Sequence, residues 1–78
     1  MTEFYEPLQE VINVLGTQAA VAEVCTEFSG KKITQAHVSQ WLNRDQKIPP
    51  RFARPLEDAT EKKGSVVPRE RLCPDVFG

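Results

Sequence analysis

Apolar residues return every three or four positions along most of this chain, which is the spacing of helices that bury one face. Leu8, Val11, Ile12 and Leu15 form the first stripe, with Pro7 suited to the opening turn and Gly16 to the end. Thr17 then stands as an N-cap, and Val21, Cys25 and Phe28, with Ala22 beside them, continue a second inward stripe that Ser29 and Gly30 close. After a short link, Thr34 is another N-cap, and Val38, Trp41 and Leu42 place a third helix that ends near Asn43. Ile48-Pro49-Pro50 breaks the chain and starts a fourth, where Phe52, Leu56 and Ala59 share a face and Lys62-Lys63-Gly64 stops it.

Beyond residue 64 the pattern weakens. Val66 and Val67 precede Pro68, so residues 65–67 are expected as a short edge strand; a helical turn fits 69–72, and Pro74 is expected to leave the tail extended. The reading is all-α: a compact bundle of four to five short helices, forming one domain over 1–78 with a tail from about 65. With 78 residues the chain buries only about 60 to 65% of its unfolded surface, so modest stability is expected. No apolar run reaches the roughly 20 residues of a membrane span, and the first residues lack the basic start and apolar middle of a signal peptide. A cytoplasmic protein is expected.

Charge changes the picture through its distribution rather than its total of -1. Residues 1–30 carry Glu3, Glu6, Glu10, Glu23 and Glu27 and no Lys or Arg, whereas 31–54 carry Lys31, Lys32, Arg44, Lys47, Arg51 and Arg54 against Asp45 alone. Only that middle third has a field that attracts a polyanion. The third helix lies within it. At 100° per residue Val38, Trp41 and Leu42 turn inward, while Ala36, Ser39, Gln40, Asn43 and Arg44 share the opposite arc and Gln35 projects from the first turn. That arc holds amides, a hydroxyl, a methyl and a guanidinium, and no carboxylate. Gln can pair bidentately with adenine, Ser can donate or accept, and a methyl can meet the thymine methyl, so the face matches what a DNA major groove presents.

Thr17-Gln18-Ala19-Ala20-Val21-Ala22 followed by Ile33-Thr34-Gln35-Ala36-His37-Val38-Ser39-Gln40-Trp41 resembles the two halves of a phage Cro-type helix-turn-helix. Ile48-Pro49, Leu56-Glu57-Asp58-Ala59-Thr60 and the ending Leu72-Cys73-Pro74-Asp75-Val76-Phe77-Gly78 are similar to the prophage-encoded YdaS-like branch of that family. The resemblance covers roughly residues 16–78. It implies a helical repressor whose second motif helix enters the major groove while the first crosses the backbone. By motif position Gln35, Ala36, Ser39 and Gln40 would read bases, and Gln18 would meet a phosphate at the start of helix two. Lys31, Lys32, Asn43, Arg44 and Lys47 flank them as expected backbone contacts.

The sequence departs from that pattern in two places. The stretch from Ala22 to Val38 is about six residues longer than a motif with the usual 3–4-residue turn would give, which reads as a longer helix two plus a loop over 29–32. Cys73 stands where relatives often carry a basic residue, and Glu61-Lys62-Lys63-Gly64 is longer than the usual Gly-Gly turn. Double-stranded operator DNA is the expected partner. A homodimer on paired half-sites is implied by the family, with the tail from Val66 to Phe77 as its surface.

A rival reading uses the same scaffold as a protein-interaction module, antitoxin-like, acting through the tail or the acidic first helix. The absence of basic residues before Lys31 supports it. No Gly-rich phosphate loop, nucleophile elbow or useful His-carboxylate spacing is present, so neither catalysis nor a cofactor or small-molecule ligand is expected. His37 is the lone histidine and Cys25 and Cys73 stand far apart, so no metal site is expected. His37 is expected at the surface, and Trp41, in phase with Val38, in the core.

Overall fold

A computed structural model describes residues 4–77. Its α-helical segments are α1 (Glu6–Leu15), α2 (Gln18–Ser29), α3 (Gln35–Gln40), α4 (Ala53–Lys62), α5 (Arg69–Leu72) and α6 (Pro74–Phe77). A wide π turn, Trp41–Asp45, prolongs α3, and a 3-10 turn, Pro50–Phe52, leads into α4. The described residues contain no strand. The fold is a small helical bundle with a radius of gyration of 11.2 Å.

The first four helices form where the stripes place them. Pro7 lies in the first turn of α1, and the Gly16 N–H closes the helix on Ile12 O at 2.7 Å. Thr17 caps α2 by accepting the Ala20 N–H at 3.1 Å. Leu8, Val11 and Ile12 from α1 meet Val21, Ala22 and Cys25 from α2, Val38, Trp41 and Leu42 from α3 and its π turn, and Phe52, Ala53 and Leu56 around α4. The Trp41 and Phe52 rings lie 5.5 Å apart within this cluster. Burying each such aliphatic side chain contributes about 1.5 to 3 kcal/mol, which is what makes so small a bundle hold.

Four expectations are corrected. Phe28 does not join the inward stripe: it is 56% exposed and touches the core only edge-on, its ring 6.3 Å from that of Phe52. The stripe ends at Cys25, because Phe28 falls at the end of α2, where the helix outruns the core. Residues 65–67 form no edge strand, since the Val67 N–H that would join a ladder is taken by the Thr60 hydroxyl at 2.9 Å. The chain after Pro74 is not extended; Pro74 opens a helical turn whose Val76 and Phe77 N–H groups return to Cys73 O at 3.1 and 2.9 Å. Helix three does not stop at Asn43 but runs on through the π turn to Asp45, where Gln46 reverses the chain with φ 51°.

The tail belongs to the core. Val67, Leu72 and Cys73 are buried in the same cluster as the helices, while the large apolar side chains Val66, Val76 and Phe77 stay at the surface, Phe77 with Arg69 stacked 5.6 Å from its ring. Tyr5 fastens the two ends together. Its backbone N–H donates to Leu42 O at 2.8 Å, and its hydroxyl donates to Leu72 O. Burial raises the Tyr5 phenol above its ordinary value, with Cys73 and Asp75 adding to the rise. Arg71 pairs with Glu10 of α1 beside it, an exposed contact of the sort that adds under about 1 kcal/mol.

Two threonines solve the same problem in two places. Thr26 and Thr60 each sit near the end of a helix, followed four residues later by a glycine of positive φ, Gly30 at 72° and Gly64 at 85°. Each hydroxyl donates back into its own helix, Thr26 to Ala22 O at 2.8 Å and Thr60 to Leu56 O at 3.0 Å. Each then accepts a backbone N–H from seven residues ahead, Ile33 and Val67, both at 2.9 Å. One side chain thus ties a helix to the loop that departs from it.

Candidate nucleic-acid interface

The lengthened segment between the motif halves resolves into a longer helix followed by a loop. α2 runs for 12 residues to Ser29, Gly30 turns the chain, and α3 begins at Gln35. Lys31 and Lys32 occupy the loop and are exposed. The Ser29 hydroxyl holds the loop by accepting the Lys31 N–H at 3.2 Å and donating to Lys31 O at 3.1 Å.

The start of α3 is closed by a capping box with a histidine in it. The Thr34 N–H donates to His37 Nδ1 at 3.0 Å, and the Thr34 hydroxyl lies 3.1 Å from the same nitrogen. Glu or Gln usually makes this reach-back contact. Because a backbone N–H can only donate, Nδ1 must carry its lone pair there, and the ring proton of the neutral imidazole sits on Nε2. His37 is exposed, as expected, but it serves the helix start.

Gln35, Ala36 and Gln40 are exposed on α3, and Val38 between them is fully buried. Ser39 is half-buried, and Asn43 folds back onto it, its amide donating to Ser39 O at 3.2 Å and to the Ser39 hydroxyl at 3.3 Å. Arg44 is exposed within the π turn, whose greater width rotates positions 43 and 44 away from where an α-helical wheel puts them. Gln18 is the first residue of α2 and half-buried. Lys47 is exposed and lines a groove with Trp41, Asp45, Pro49 and the tail residues Pro74 and Asp75.

Gln35 and Lys32 share an open groove with Ala19, Ala22 and Thr26 of α2. Glu23 and Glu27 line the same groove. The third helix is therefore free of carboxylates on its outer arc, but the surface beside it is not. Spacing along α3 alone could not reveal this, because the acids come from a different helix. Thr26 was likewise invisible as a contact, since a threonine inside a helix reads as neutral until its partner seven residues on is known. The histidine cap did leave a signal, namely the spacing Thr34-x-x-His37.

Both thiols are buried and free. Burial pushes the Cys25 thiol up to about 12, partly opposed by Arg51, and raises Cys73, whose Sγ approaches Ile48 O at 3.7 Å. Among the described residues no three metal-capable side chains come together, and no helix is long and apolar enough to cross a membrane.

The arrangement is that of a small helical domain built around a helix-turn-helix pair, α2 and α3. The chain belongs to the YdaS family: the family model described as "Bacterial toxin YdaS" matches residues 8–78. No curated protein and no solved structure matches the chain.

Proposed function

We infer that this protein is a sequence-specific binder of double-stranded DNA and a Cro-type regulator of transcription, reading an operator through α3. The observation that carries the reading is the outer arc of that helix. Gln35, Ala36 and Gln40 are exposed together on a helix anchored from behind by Val38 and Trp41, with Lys31 and Lys32 on the loop before it and Arg44 after it. Such a face offers hydrogen bonds to base edges, and its flanking cations offer contacts to phosphate. A homodimer on paired half-sites would put two such helices about one helical turn of DNA apart. The exposed Val66, Val76 and Phe77 are the tail surface available for that pairing.

The family's description as a toxin favours a second reading, in which the domain acts by seizing another protein. Selection of bound sequences from a random duplex library, followed by affinity measured against salt, separates the two. An enriched motif with a steep negative salt slope supports the regulator. No enrichment and a flat slope, with a stoichiometric protein complex instead, would replace it by the second reading.

A further inference from the structure

We propose that Thr26 is a positioning residue for sequence reading: its hydroxyl fixes the angle and register at which α3 is presented, and Thr60 does the equivalent for the tail without touching that function. This rests on the reading of α3 as the DNA-contacting helix.

The lengthened link between α2 and α3 would by itself loosen the motif, because a longer loop leaves the second helix more freedom relative to the first. Thr26 removes that freedom at one atom. Its Oγ1 accepts the Ile33 N–H at 2.9 Å and shares its single proton between Ala22 O at 2.8 Å and Ile33 O at 3.1 Å. Both backbone groups of Ile33 are thereby held to α2, one residue before the Thr34 N-cap and two before Gln35. His37 holds the next N–H, that of Thr34, from the α3 side. The five residues 30–34 thus have their far end clamped from both helices. Thr26 also lies in the groove that Gln35 lines, so the clamp and the first reading side chain share one surface. Thr60 provides an internal control that shares the accepted N–H, although its proton stays within its own helix, on Leu56 O and Glu57 O. It makes the same helix-to-loop bond to Val67, at 2.9 Å, on the far side of α4 from α3 in the chain, and it is fully buried.

The test compares Thr26→Val, Thr26→Ser and Thr60→Val for thermal stability and for the ratio of affinity on the selected duplex to affinity on random duplex. Valine keeps the shape and loses the hydroxyl, whereas serine keeps the hydroxyl. Both valine variants are expected to lose stability, but only Thr26→Val should lower the ratio, by about fivefold or more, the loss expected from one misplaced base contact. Thr26→Ser should restore it. An unchanged ratio in Thr26→Val, or an equal fall in Thr60→Val, overturns the assignment.

A DNA-free measurement accompanies these. In the parent, the Ile33 amide lies outside any helix yet must exchange with solvent as slowly as the amides of α3, and in Thr26→Val it should exchange about tenfold faster. Fast Ile33 exchange in the parent overturns the clamp whatever the variants do. A parent that selects no sequence ends the DNA reading and with it the positioning role of Thr26, whereas unchanged Ile33 protection in Thr26→Val ends the clamp and leaves the DNA reading standing.

Discussion

His37 shows how much one side chain can do without touching the core. Removing its ring leaves the Thr34 N–H without its partner at the start of a helix only six residues long. His37→Ala is expected to cost about 0.5 to 2 kcal/mol in denaturant unfolding, while His37→Gln, which supplies the usual reach-back carbonyl, should recover most of it. Equal losses in both variants would mean that the ring matters by packing and not by capping. Gln40 makes the opposite case. Its side chain is exposed, so Gln40→Ala should leave stability within about 0.5 kcal/mol. Binding to the selected duplex should nevertheless fall by about 1 to 3 kcal/mol, localised to one base pair in a scan of substituted duplexes. At this scale the sequence was legible where chemistry is local: the caps Thr17 and Thr34, the inward Val38 and the outward Gln40 follow from spacing. Phe28 misled, because a residue in phase with a stripe is buried only if the core extends that far. Ser39 and Asn43 read as separate contacts along the chain, yet they spend part of their hydrogen-bonding capacity on each other.

At the scale of elements, the four long stripes located four helices, and the errors gathered at their ends. Helix ends are decided by which carbonyl or hydroxyl claims the N–H groups there, and of two claims that mattered, Thr60 on Val67 joins α4 to the tail beyond it, while Cys73 on Phe77 closes a turn within the tail. The π turn after Gln40 is a further case, because it needs Gln46 in a left-handed conformation that an L side chain resists. Gln46→Gly relieves that resistance and is expected to raise stability by up to about 1 kcal/mol, read as a higher melting temperature with an unchanged helical spectrum. A lower melting temperature would show that the Gln46 side chain holds the turn through contacts of its own. The carboxylates of Glu23 and Glu27 beside Gln35 belong to this scale too, since they enter the candidate interface only through the packing of α2 on α3.

For the molecule as a whole, the all-helical bundle was legible because each helix announces its buried face, whereas the fate of the tail was not, because three scattered apolar residues carry no period. Their burial brings Cys73 into the same cluster as Cys25 and leaves neither thiol able to ionise easily. Cys25 is raised in the folded state to about 12 from an ordinary value of 9.0, so its contribution to stability is complete below about 9 and is lost as pH climbs toward 12, where only the unfolded chain has already released the proton. Unfolding free energy should therefore decline over that window, with a slope contributed by Cys25 of at most about 1.4 kcal/mol per pH unit. Cys25→Ala should remove that part of the slope, and an identical slope in the variant would assign the decline to other groups.

The Tyr5 clasp also sets an order in time. Its hydroxyl reaches Leu72 O across 67 residues of chain. A contact that closes so long a loop costs more chain entropy than the helix-to-neighbour contacts inside it, so it gains nothing until those are in place. The clasp should accordingly be absent from the rate-limiting barrier and present only on its native side. In stopped-flow measurements Tyr5→Phe should leave the folding rate nearly unchanged and raise the unfolding rate, carrying almost its whole destabilisation on that limb. A slowed folding limb would mean instead that the two ends of the chain meet early and that the bundle assembles around them.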